Sequence, residues 1–250
     1  MKHDPRADAN SPATPPGPPR ENVWGMFNRI APKYDLLNRV LSFRQDVRWR
    51  KRLVRHLPPG ERLDVLDIAT GTADVLLTLH RAGRLRRGVG IDMAAAMLDL
   101  GRAKLTHAGV ADIITLREGD ATHLDEADGA YDCTTISFGI RNVVDTGKAL
   151  AEMYRVIKPG GRSLILECSI PASACFRAFY LFYFRHILPR LGALVSGDGY
   201  AYRYLNETVE TFPHGEAFLA LMRQAGFVKV QRDPLTFGIA TIYRGERGER

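Results

Sequence analysis

Cysteine is scarce: Cys133, Cys168 and Cys175 are the only three in 250 residues, and none forms a CxxC pair or has histidines at zinc-ligand spacing. So sparse and odd a set excludes a disulfide framework, points to no metal site and fits a reducing compartment. Long hydrophobic runs are missing too. No stretch approaches the roughly 18 to 20 apolar residues that span a bilayer, and the first residues lack the basic-then-apolar order of a secretory signal. The expectation is a cytoplasmic protein, free to touch the inner face of a membrane peripherally.

The charge is unbalanced. Thirty-five Lys and Arg against 28 Asp and Glu leave a formal charge of +7. Basic residues gather at Arg44, Arg48, Arg50, Lys51, Arg52, Arg55 and Arg62, and again at Arg81, Arg84, Arg86 and Arg87. Such groups attract phosphates, of nucleic acid or of anionic lipid, or simply form a solvated face. A 45% hydrophobic share in one chain of this length suits a single globular domain.

Residues 1–20, rich in Pro, Ala and Asp, show no apolar periodicity and read as a disordered tail ahead of one domain over 21–250. Within 21–60, Trp24, Met26, Phe27 and Ile30 suggest a short lid segment. Ser42 and Gln45 have capping-box spacing before a basic amphipathic helix bearing Val47, Val54 and Leu57. From Asp64 onward, short Val/Ile/Leu runs alternate with amphipathic helices: strands at 65–69, 89–92, 113–117, 133–138 and 163–167, the last after the turn Lys158-Pro-Gly-Gly161. That alternation demands a mostly parallel, doubly wound α/β sheet covered on both faces. Residues 171–212 interrupt it with an insertion rich in Phe, Tyr and Arg, before a last helix and two strands.

In such sheets ligands sit beyond the carboxyl ends of the strands. The first turn reads Asp67-Ile-Ala-Thr-Gly71-Thr72-Ala-Asp74, without the GxGxxG a pyrophosphate requires. Gly71 permits close approach, Asp67 can orient the turn or meet a cation, and Thr72 can hydrogen-bond a carboxylate. Asp92, with its neighbour Met93, ends the second strand about twenty residues on, where a carboxylate accepts ribose hydroxyls. Asp120 and Ala121 follow the third strand, placed for an adenine amino group, and Ser137 ends the fourth. Singly, each reads equally as a cap or turn former. Together they suit S-adenosylmethionine, a nucleoside without phosphate that carries a sulfonium cation.

Two segments, MFNRIAPKYDLLNRVLSFRQDVRW and RVIKPGGRSLILECS, resemble the signatures of the ubiquinone/menaquinone biosynthesis C-methyltransferase family, with ISFGIRNV, SGDGYAYRYL, QAGF and LTFGIA in that family's order. The likeness runs from about Met26 to Arg244. It implies a class I S-adenosylmethionine-dependent methyltransferase, a Rossmann-like sheet with an N-terminal helical lid and an aromatic helical insertion, acting on a prenylated quinol. It leaves the oligomeric state open, a homodimer included, and places the cofactor contacts at Thr72, Asp92, Asp120, Ala121 and Ser137. Two departures stand out: Asp46 replaces a His of the signature, and Thr70 and Ala73 replace glycines of the first turn.

Methylating a ring carbon of a quinol requires removal of a hydroxyl proton and stabilisation of the resulting phenolate. Arg141 is expected to stabilise it and Asn142 to orient the ring oxygen, with Asp35, Tyr34 or water accepting the proton; the competing reading of Arg141 is a loop-closing salt bridge. Asn38, Phe179, Tyr183 and Tyr202 are expected to contact the substrate, the aromatic stripe serving either as prenyl groove or as ordinary core. RNA methylation is the rival reading prompted by the basic patches, but neither an NPPY loop nor a Pro-Cys nucleophile follows the fourth strand. The same fold could also methylate a prenyl-free small molecule, or serve as a non-catalytic scaffold, which would not need Asp92.

Overall fold

The computed structural model describes residues 23–190 and 199–249, except the side chains of Tyr200 and Tyr202; the expected N-terminal tail lies outside the described residues. The elements are α1 (Val23–Leu41), α2 (Gln45–Leu53), β1 (Leu63–Ile68), α3 (Asp74–Arg81), β2 (Leu85–Asp92), α4 (Ala95–His107), β3 (Ile114–Glu118), β4 (Tyr131–Ser137), α5 (Thr146–Val156), β5 (Ile157–Cys168), α6 (Ala174–Phe182), α7 (Gly199–Thr211), α8 (Glu216–Gln224), β6 (Val228–Leu235) and β7 (Ala240–Glu246). A π-helical turn, Tyr183–Ile187, extends α6.

The strands form one sheet in the order β3-β2-β1-β4-β5-β7-β6. β1 to β5 pair in parallel, whereas β7 runs antiparallel to both β5 and β6. The short Thr236–Gly238 turn explains that reversal, since so brief a link can join antiparallel strands but not a parallel crossover. Successive side chains leave the sheet on opposite faces. Val65, with Leu76, Leu79 and Leu164, joins the core on one face, while Leu66, with Ile136, Met153 and Phe218, joins the other.

Four local expectations change. Ser42 is not the N-cap residue of α2: the chain passes through Phe43 and Arg44 at φ of 50° and 61° and the helix starts at Gln45, although Ser42 Oγ still accepts the first-turn Asp46 N–H at 3.3 Å and donates to Asp46 Oδ1 at 2.9 Å. The buried face of α2 is Asp46, Trp49, Arg50 and Leu53, so Arg50 is not part of a solvated basic surface. Strand β2 begins at Leu85, earlier than its apolar run suggests, with Arg86 donating to Asp64 Oδ1 at 2.9 Å. The Lys158–Gly161 turn is a bulged start to β5: Gly160 takes φ 75°, and a β-carbon on Gly161 would stand 2.8 Å from the Asp132 carbonyl oxygen.

Candidate active site

The turn after β1 is held tightly. Ala69, Gly71 and Ala73 all adopt positive φ, and the Thr70 N–H donates to the Ile91 carbonyl at 2.9 Å. Thr70, where the resemblance expects glycine, donates its hydroxyl to Asp67 Oδ2 at 2.7 Å, and Gly90 leaves room for it. Asp67 also accepts from Thr135 and is fully enclosed; burial pushes its carboxyl up to about 7 against those two hydrogen bonds. It fastens the turn rather than facing a ligand. Gly71 N–H donates to Asp92 Oδ2 and Ala94 N–H to Asp92 Oδ1, at 2.8 and 2.9 Å, which aims the carboxylate.

Beyond this turn opens a cavity of about 480 Å³. Gly71, Asp92, Met93, Asp120, Ala121 and Ser137 line it, brought together from four strand ends. Trp24, Phe27 and Tyr34 of α1 roof it. Ser137 Oγ and Asn142 Oδ1 are buried there without protein partners. A β-carbon on Gly71 would meet nothing nearer than Tyr34 at 4.0 Å and would occupy the cavity itself. An acidic group at one end, unpaired polar atoms within and apolar walls fit a nucleoside bearing an aliphatic arm.

Thr72 is not in this lining. Its hydroxyl donates to Asp35 Oδ1 at 2.8 Å and accepts from Lys104 Nζ at 2.7 Å. Asp35, one of the expected proton acceptors, is thereby turned away from both cavities and pairs with Lys104. Asn142 stands with Ser137 on the cofactor-sized cavity.

A second cavity of about 520 Å³ lies alongside and shares Phe27, Tyr34 and Phe138 with the first. Its walls are mainly apolar and aromatic, from α1, α2, α6 and α7; Asn38, Phe179 and Tyr183 are among them, whereas the Tyr202 side chain lies outside the described residues. Arg141 is the cation at its inner end. Nη1 donates to Glu167 Oε1 at 2.6 Å and to the Phe138 carbonyl at 2.7 Å, while buried Nε has no partner. The loop-closing salt bridge is thus present, and the same side chain lines the cavity. Burial opposes its charge, but Glu167 outweighs that and raises its pKa further.

Tyr34 hydrogen-bonds Asn38, and burial pushes its hydroxyl up despite that bond and nearby Arg50 and Arg141, so it is a donor at neutral pH. Burial likewise pushes the Cys168 thiol up to about 12, keeping it protonated on the same wall. Sequence reasoning missed Phe138, Glu167, Asp46 and Trp49. Phe138 adopts φ 59° in the wall between the cavities, a conformation that Ser-Phe-Gly does not announce. Glu167 sits at a strand end as Asp92 does, and that position was the available signal.

A sheet of this order, with an acidic residue closing β2 over a glycine turn, defines a class I S-adenosylmethionine-dependent methyltransferase. Solved structures with the same fold include an S-adenosylmethionine-dependent methyltransferase of Thermotoga maritima (TM-score 0.63, 19% identity, 90% of this chain and 100% of that one). Another comes from Methanococcus maripaludis and is assigned to the same enzyme class (TM-score 0.64, 15% identity, 89% and 94%). The model of the ubiE/COQ5 methyltransferase family matches residues 18–247, and the chain belongs to that family. Among curated relatives, the demethylmenaquinone methyltransferase of Thermus thermophilus is 47% identical over 89% of this chain and 100% of its own. The ubiquinone/menaquinone biosynthesis C-methyltransferase UbiE of Geobacter sulfurreducens is 46% identical over 91% and 89%.

Proposed function

We propose that this methyltransferase moves the methyl group of S-adenosylmethionine to a ring carbon of a prenylated quinol, demethylmenaquinol or the corresponding benzoquinol of ubiquinone synthesis. The supporting observation is the pair of adjoining cavities, one acidic and nucleoside-sized, the other apolar, that meet at Tyr34 and Phe138. S-adenosylmethionine, when bound, supplies a methyl group already activated by its sulfonium. Gly71, Asp92, Met93, Asp120, Ala121 and Ser137 hold it, with Asn142 closing the cavity and Asp67 and Thr72 fixing the turn from behind. Arg141 stabilises the phenolate, and Tyr34, positioned by Asn38, donates to a ring oxygen. With Asp35 paired and Tyr34 a donor, water takes the hydroxyl proton; attack by the ring carbon and loss of its proton then restore aromaticity.

The apolar cavity takes the ring and the start of the tail, with Phe179 and Tyr183 along its side. Phe43 and Phe179 of its lining are exposed, as are Phe182 and Phe237, and Arg44, Arg48, Lys51 and Arg55 stand exposed on and beside α2. No described helix is long and apolar enough to cross a membrane. This surface suits peripheral contact with the anionic inner face of the cell membrane, from which a prenylated substrate would be drawn. Incubation with methyl-labelled S-adenosylmethionine and either short-chain demethylmenaquinol or total RNA tests the reading. Label is expected in the lipid extract; label confined to RNA would overturn it.

A further inference from the structure

Six charged side chains meet behind the lid, and methyl transfer uses none of them directly. Asp35 and Arg39 come from α1, Asp46 and Arg50 from α2, Asp74 from the start of α3 and Lys104 from α4. Lys104 Nζ donates to Asp74 Oδ1 at 2.9 Å and to Thr72 Oγ1 at 2.7 Å, and pairs with Asp35. Arg39 donates to Asp74 Oδ2 at 2.6 Å and pairs with Asp46. Arg50 donates to Asp46 Oδ2 at 2.7 Å and stands 3.5 Å from Asp74. Three carboxylates face three cations, so the group is neutral as a whole. Burial alone would raise the Asp74 carboxyl, but Arg50 and Lys104 outweigh it and hold it at about 2.

A buried ion cluster is weak evidence for stability, because desolvation offsets most of the attraction, so its placement carries the argument. One end lies on α1, which roofs both cavities. The other end is Thr72, the neighbour of Gly71, whose N–H orients Asp92. A second pin holds α1 nearer its start, where Asn28 Oδ1 accepts the Ala96 N–H at 3.0 Å; α4 has no side-chain cap from Ala94. Pro32, which interrupts the helical hydrogen bonds of α1, lies between the two pins, so neither half of the roof is set by helix geometry alone.

We infer that the contact among Asp35, Thr72 and Lys104 is a latch that sets the lid helix against the cofactor turn, so that two residues outside both cavities govern how tightly S-adenosylmethionine is held. Asp35 and Lys104 are positioning residues, and the inference rests on the cofactor alone, whatever the acceptor. Loss of the latch loosens α1 over the cofactor turn, while Tyr34 stays hydrogen-bonded to Asn38 and Arg141 to Glu167. Cofactor affinity and the chemical step therefore respond separately.

Calorimetric titration of the full chain with S-adenosylmethionine tests this. Lys104→Met and Asp35→Asn are each expected to weaken binding about tenfold, the loss of one charge-assisted hydrogen bond, with kcat at saturating cofactor within about twofold of wild type. Lys104→Arg, which keeps the charge, should recover most of the affinity. Arg86→Ala, which breaks the surface pair with Asp64, should leave affinity unchanged. In a Trp49→Phe background, the emission of Trp24 should shift on cofactor addition, and this shift should be lost with Lys104→Met. If Lys104→Met fails to fold, Asp35→Asn decides the matter, since it leaves Lys104 paired with Asp74. Wild-type affinity in those variants, or kcat falling in step with affinity, would overturn the latch. A wild-type chain that did not bind S-adenosylmethionine would overturn the methyltransferase reading as well.

Discussion

At Asp92 both carboxylate oxygens already accept backbone N–H groups, yet each retains a lone pair for a ribose hydroxyl. Asp92→Ala should therefore weaken S-adenosylmethionine binding by about a hundredfold, two hydrogen bonds to a charged acceptor, as measured by equilibrium dialysis. Retention of affinity would place the nucleoside elsewhere. Arg141→Ala should lower kcat by about 10²–10³ while leaving the KM for S-adenosylmethionine near wild type, because the guanidinium lines the acceptor cavity. Asp67 gives a prediction about pH. Its carboxyl ordinarily titrates near 3.8 and in the folded chain is raised to about 7. Protonated Asp67 is compatible with burial and ionised Asp67 is not, so its contribution to stability is full below about pH 4 and is lost as pH rises to 7, a change on the order of 4 kcal/mol. Asp67→Asn should flatten urea-unfolding stability across that interval and exceed wild type near pH 8; an unaltered slope would contradict the assignment.

At the level of elements, the strand-helix alternation was legible because buried parallel strands require short runs rich in apolar and β-branched residues, as at Val65 to Ile68 and Cys133 to Ile136. Strand ends were legible for the same reason, which is why Gly71, Asp92, Asp120 and Ser137 could be grouped around one crevice. The start of β2 was not, because Arg86 and Arg87 interrupt the apolar signal at the sheet's rim. Nor was the latch, whose partners stand 37 residues apart between Asp35 and Thr72 and 32 apart between Thr72 and Lys104. Arg50 and Asp46 look like any charged helix surface until α3 is folded against them. Local capping is decided nearer in sequence: Asp145 accepts the Lys148 N–H at 2.9 Å at the start of α5. Asp145→Ala should cost about 1 kcal/mol in chemical denaturation without altering cofactor binding, and no loss would mean the cap is replaced by solvent.

Across the whole molecule, the sheet brings a polar cavity and an apolar one to the same edge, and α1 covers both. Neither cavity alone distinguishes a methyltransferase from a binding protein. Under the proposed function, their shared wall at Phe27, Tyr34 and Phe138 would bring a donor in the first to face a ring in the second. A crystal structure with S-adenosylhomocysteine and a short-chain demethyl quinol tests this arrangement most directly. The sulfur is expected to point through the wall between Tyr34 and Phe138 at the ring carbon, with room for one methyl group between them and Arg141 near the ring oxygen. A nucleoside outside the Asp92 cavity, or a ring bound away from the aromatic one, would contradict it.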